Sequence, residues 1–204
     1  MPSIKSLSLC GIASLFMASA ATAQTRFDPT GSWIVGGGVE QVVLDRQQAS
    51  KEMIDDTAVS VYVEGEYIFS RFFSTSFGLA YYDYDDYASF TQWTEDSWGD
   101  ERRSRSDAQG VPVYAEVGYK QFFSSEGRVY ITARGGLALM LASERSISNC
   151  SNCYEEDIDI EGGAYGVLGA GVRLASSFLL SVRYKHFFSG DIEHVTGLNF
   201  SYSF

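Results

Sequence analysis

Large apolar or aromatic residues recur at every second position in eight separate segments, and no comparable period of 3.6 residues competes with them. Ser32–Leu44 carries Trp33, Val35, Val39 and Val43 on one parity, and Thr57–Phe69 carries Val59, Val61, Val63, Tyr67 and Phe69. The same alternation runs through Ser74–Tyr84, Val111–Gln121, Val129–Leu141, a glycine-rich sixth segment ending at Leu174, and Phe178–Phe188. It closes on Leu198, Phe200, Tyr202 and Phe204, the last residue. Period two is the geometry of a strand with unlike faces, so the chain reads as all-β.

The links between the segments constrain the topology. Long links of 12, 26 and 20 residues alternate with short ones of 4, 7 and 3, and only the last link, of 5, breaks the alternation. Tight turns at one end and long loops at the other describe an antiparallel up-and-down meander. A transmembrane barrel needs only ~9–11 residues per strand, which each segment can supply.

The opposite parity holds charges of both signs at mid-strand: Glu64, Glu66, Glu116, Lys120, Arg134, Arg173, Arg183 and Lys185. Burying them in an apolar core would be costly unless they pair. An eight-stranded barrel has an interior just wide enough for side chains to fill, where these groups can satisfy one another. The apolar parity then faces outward, and only lipid accepts a continuous wall of Val, Leu and Phe. Phe69, Phe72, Phe73, Phe122, Phe123 and Phe178 gather at the short-turn end and Tyr81, Tyr82, Tyr84 and Tyr87 towards the other, which suggests interfacial girdles.

Residues 1–23 have the layout of a secretory signal: Lys5, an apolar run from Leu7 to Ala20, and small residues Ala21 to Ala23 before Gln24. The barrel domain is therefore expected over 24–204. Losing Lys5 moves the net charge from −11 to −12, which argues against nucleic acid as a partner. Cys150 and Cys153 remain, and an oxidising compartment favours a local disulfide between them. No redox context is in view for this CxxC. A zinc site there would need further ligands, and His186 and His194 are the only histidines. No catalytic, cofactor or metal constellation is expected.

Signal segment, eight amphipathic strands and the terminal GLNFSYSF together resemble the small outer-membrane β-barrels of Gram-negative bacteria, the OmpA-type transmembrane domains and opacity-type surface proteins. The resemblance implies an integral outer-membrane barrel with short periplasmic turns and long extracellular loops. It implies lipid and lipopolysaccharide as surroundings and a structural or surface-interaction role, not an enzyme. Gly197, Phe200, Tyr202 and Phe204 match the terminal signal that the barrel-assembly machinery reads in that family. No C-terminal peptidoglycan-binding domain follows, so cell-wall anchoring is not implied.

Specific function would reside in the loops. Trp93 and Trp98 lie in the 26-residue link and are candidate contacts for an extracellular ligand, or pack within the loop. "DYDDY" and "CYEEDIDIE" make the rim acidic. Three alternatives stand beside this reading. A narrow porin-like channel is one, although water-filled porins use about 16–18 strands. A lipid A-modifying enzyme is another, with His186, Ser189 and Asp191 as a hydrolase-like set whose strand parity opposes His186 to Ser189. A soluble lipocalin-like binder is suggested by Gly31 to Trp33, but such a barrel needs a greasy lumen.

Overall fold

Eight strands close on themselves into a barrel. The computed structural model describes residues 27–86, 92–95, 98–104, 106–123, 126–146, 155–175 and 177–204. The signal segment, Tyr87, Cys150 and Cys153 lie outside the described residues.

In chain order the elements are β1 (Trp33–Leu44), α1 (Arg46–Lys51), β2 (Ile54–Ile68), β3 (Phe73–Asp86), β4 (Gln92–Glu95), β5 (Glu101–Ser104), β6 (Asp107–Phe123), β7 (Val129–Ser146), β8 (Glu155–Asp157), β9 (Ala164–Arg173), β10 (Phe178–Phe187) and β11 (Ile192–Ser203). The barrel runs β1-β2-β3-β6-β7-β9-β10-β11 with every pairing antiparallel, and β11 returns to β1 through Val35↔Tyr202 and Val39↔Leu198. Closure leaves no barrel strand with an unpaired edge, the condition for crossing a hydrocarbon layer. The β4–β5 hairpin stands apart in the 26-residue link, and β8 adds to the upper part of β7.

The parity assignment is realised in the packing. Val59, Val63, Leu139, Val182, Leu198 and Phe200 are exposed on the outer wall, while Ser60, Glu66, Glu116, Arg134, Arg183 and Asn199 are buried inside. On β7 the outward run from Val129 to Leu141 covers twelve residue steps. At ~3.3 Å per residue and a tilt near 45° this spans about 28 Å, close to the apolar band of such barrels. At the short-turn end Trp33 packs on Tyr67 at 5.0 Å, Phe72 on Tyr119 at 6.0 Å and Phe178 on Phe200 at 5.6 Å, forming an outer aromatic belt.

Three aromatic residues leave the expected girdles. Phe122, Tyr82 and Tyr84 are buried in the lumen, because strict alternation puts them on the inner parity of β6 and β3. Space for inward tyrosines comes from glycines on the neighbouring strand. Gly78 pairs with Tyr114 and Gly136 with Tyr165, and a Cβ at either glycine would run into the tyrosine ring.

The ladder also runs further than its apolar part. β6 and β7 have 17 and 18 residues, beyond what crossing requires. Above the register shift at Val111/Pro112 most of their pairs include a polar residue, such as Gln109↔Glu144, so apolar alternation gives little sign of them. The glycine-rich sixth segment, where a bulge would have altered parity, pairs as β9 without a register shift. Shifts occur instead at Val43/Leu44, Ile54/Ala58 and Val111/Pro112.

Candidate functional site

The lumen is filled in three layers. At the short-turn mouth Ile34, Ile68, Phe122, Tyr130 and Leu179 form an apolar cluster, and Phe27 from the segment before β1 packs against it. The Gly31 amide bonds the Ile68 carbonyl at 2.7 Å, which ties that segment across the mouth. Asp28 steadies the turn there: hydrogen bonds from the Thr30 hydroxyl and amide hold its carboxyl below the ordinary carboxylate range.

The middle layer is ionic. Lys120 Nζ lies 2.7 Å from Glu66 Oε2, and Arg134 bridges Glu66 and Glu116, the latter at 3.3 Å. Ser76 and Tyr165 each donate to Glu116, at 3.1 and 3.0 Å. Higher in the barrel Arg183 joins Glu64 at 2.6 Å to Glu40 at 3.1 Å, and Lys185 reaches Glu40 at 3.1 Å. Asn199 donates to Tyr62 and to Glu64, both at 2.8 Å. The cations also lie over aromatic faces, Arg183 over Tyr62 at 4.4 Å and Lys185 over Tyr114 at 4.5 Å. The acids come from β1, β2 and β6 and the bases from β6, β7 and β10, so the bonds cross the lumen. Four carboxylates here face four cations, the balance that burial of such groups demands.

Seven of the eight charges singled out from the sequence meet in this layer. Arg173 stands apart, at the end of β9, with its guanidinium 4.2 Å from the Phe27 ring centre and 3.5 Å from the Glu126 carbonyl. Glu40 belongs to the layer although the sequence reading passed it over. The signal was present: Glu40 shares the inner parity of β1 with Gly36, Gly38 and Val42.

The third layer closes the long-loop end. Val42, Leu44, Ile54, Tyr82, Tyr84 and Phe187 pack with Ala49 of α1 and with Ile158 and Ile160. Helix α1 starts where Asp45 accepts hydrogen bonds from the amides of Gln47 and Gln48 at 2.9 and 3.0 Å, a standard N-cap. It is tied to the opposite loop by Gln48, which donates to the Asp159 carbonyl, and by Lys51 at 3.4 Å from the Asp159 carboxylate. Hydrogen bonds to Glu52 and Asp159 raise the Lys51 ammonium above its ordinary pKa. Arg145, buried outside the apolar band, gathers the Glu52 and Met53 carbonyls and the Glu156 carboxylate, the last at 2.5 Å.

Charge is unevenly shared between the ends. The long-loop rim carries Asp55, Asp56, Glu155, Asp157, Asp159 and Glu193 among further acids, against few bases such as Arg46 and Lys51. At the other mouth Arg71, Arg128 and Arg173 face Asp28 and Glu126. Trp98 is 88% exposed beside the Gly99 turn of the hairpin link.

A closed eight-stranded wall with a lipid-facing exterior and a packed ionic interior is the architecture of an outer-membrane protein. The family model described as "Outer membrane protein beta-barrel domain" matches residues 8–204. The chain belongs to this family. As an outer-membrane barrel it is an integral protein of that membrane. No curated protein matches it. Among solved structures it is similar to Ail, the attachment invasion locus protein of Yersinia pestis, at 12% identity and a TM-score of 0.52, covering 86% of this chain and 99% of that one. The same protein in complex with the heparin analogue sucrose octasulfate matches at 13% identity and 0.51, with the same coverage. OprG from Pseudomonas aeruginosa matches at 13% identity and 0.48, covering 89% of this chain and 99% of that one. At these identities the likeness concerns the fold.

The hydrolase-like set lines one groove, but its members are engaged elsewhere and not with one another. Ser189 Oγ accepts the Ala164 amide at 2.9 Å and Asp191 Oδ2 accepts the Glu161 amide at 2.7 Å, while the His186 ring leans on Phe188. Both the serine and the aspartate secure the link before β9. The lipocalin-like reading is opposed by the buried ion pairs that cross the lumen, and Trp33 faces outward.

Proposed function

We propose that this outer-membrane barrel is a non-conducting, non-enzymatic scaffold whose acidic long-loop end serves as an interaction surface. The observation that carries this reading is the filled lumen: a balanced ionic layer held between two apolar ones. A hydrated ion entering it would have to shed water, break buried pairs and pass two dry clusters. With transport set aside, the exposed loop residues are what distinguishes one such barrel from another.

Charge gives the surface its polarity. A polysulfated ligand such as the one bound to Ail would be repelled by this rim, whereas a cationic partner would be steered to it. Lipid and lipopolysaccharide surround the wall in this reading. Gly197, Phe200, Tyr202 and Phe204 serve as the assembly signal, and Cys150 with Cys153 forms a loop staple. The test is single-channel recording of the refolded protein in planar bilayers, with binding to immobilised heparin as a second arm. The expected result is a flat baseline and no retention at physiological salt. Discrete conductance steps would contradict the scaffold reading, and retention on heparin would contradict the proposed polarity.

A further inference from the structure

The short link between β10 and β11 lies at the long-loop end, and the outer wall beside it carries both histidines of the chain. Register sets His186 directly opposite His194. Both point outward, since Lys185, Phe187 and Val195 beside them are buried. Directly opposed residues of an antiparallel pair have Cβ atoms about 4.5–5.5 Å apart. Imidazole nitrogens bind a metal at ~2.0–2.1 Å, so two such side chains can close on one ion. Tyr184 flanks His194 at 5.8 Å and Phe188 flanks His186 at 5.4 Å, so an aromatic surface borders the pair on either side. Among the described residues neither imidazole is engaged in a hydrogen bond or ion pair.

We propose that His186 and His194 form a two-imidazole chelate for a divalent transition metal on the outer wall. The pair lines a groove of about 450 Å³ together with Asp45, Asp191 and Glu193, whose carboxylates make it attractive to a cation. Asp45 and Asp191 are already committed, to the α1 cap and to the Glu161 amide. No cluster of three or more metal-ligating side chains occurs among the described residues, so water fills the remaining positions. Nitrogen donors of this kind favour Cu²⁺, Ni²⁺ and Zn²⁺ over Ca²⁺ or Mg²⁺, which the acidic loops would prefer. The strands packed on either side add no competing charge at this level: Gly166 of β9 lies opposite His186 and Val43 of β1 opposite His194. The two positions are eight residues apart with no motif to join them, and only the register makes them neighbours.

The experiment is Cu²⁺ titration of the folded barrel in detergent by calorimetry and electron paramagnetic resonance, near neutral pH and with Ca²⁺ in excess. Folding of each variant is checked by its heat-dependent shift on SDS gels. One saturable Cu²⁺ with two nitrogen ligands is expected. His186→Gln and His194→Gln should each weaken it on the order of tenfold or more, since each leaves a single anchoring imidazole. Absence of a saturable site, displacement by Ca²⁺, or undiminished binding in the double variant would overturn the proposal.

Discussion

Arg183 sits where two carboxylates from different strands need one cation, as Arg134 does lower in the lumen. Replacing it by Met leaves Glu64 without the cation 2.6 Å away and Glu40 with Lys185 alone. Removing one partner of a buried pair costs about 3–5 kcal/mol, so Arg183→Met is expected to lower the unfolding free energy by that much in guanidinium titrations in vesicles. Adding Glu64→Gln should recover part of the loss, because the orphaned charge disappears. Gly136→Val tests the space beneath Tyr165: its Cβ would lie 2.7 Å from the tyrosine ring and 2.9 Å from the Ala115 carbonyl. The variant is expected to refold with reduced yield, read as the unshifted fraction on SDS gels. At this scale parity made most of the site legible in the sequence. Glu64, Glu66 and Glu116 share a face that charge alone marks out. The choice of partner was hidden, since Glu40 and Arg183 are 143 residues apart and only closure brings them together.

At the scale of elements, one buried guanidinium joins two of the links at the long-loop end. Arg145 ties the end of α1 to β8, and neither element has an apolar pattern of its own. Arg145→Ala is expected to free the first and third long links. Limited proteolysis should then cut within residues 45–56 or 147–161 several times faster, while the barrel keeps its heat-dependent shift. Equal cleavage of the variant and the parent would show that the apolar contacts of Ala49, Ile158 and Ile160 suffice. These elements were illegible in the sequence for physical reasons. Helix α1 is six residues long, too short for a 3.6 period to show. The polar tops of β6 and β7 pair in water, where no alternation is required. The eight crossing strands were legible because lipid on one side and a packed lumen on the other enforce period two.

Taken whole, the molecule separates its chemistry by depth: apolar residues on the wall, paired charges at the centre, a basic mouth and an acidic rim. The negative net charge of the chain therefore arises at the long-loop end, since the lumen balances itself and the other mouth carries more bases than acids. The measurement that tests this arrangement most directly uses β11. Single cysteines at positions 198 to 202 are labelled with an environment-sensitive fluorophore, and the protein is refolded into vesicles of brominated lipid. Labels at Leu198, Phe200 and Tyr202 are expected to be quenched strongly, while those at Asn199 and Ser201 escape quenching or block folding. Strong quenching at Asn199 and Ser201, with Leu198 and Phe200 shielded, would mean that the apolar parity faces inward and that the account is wrong.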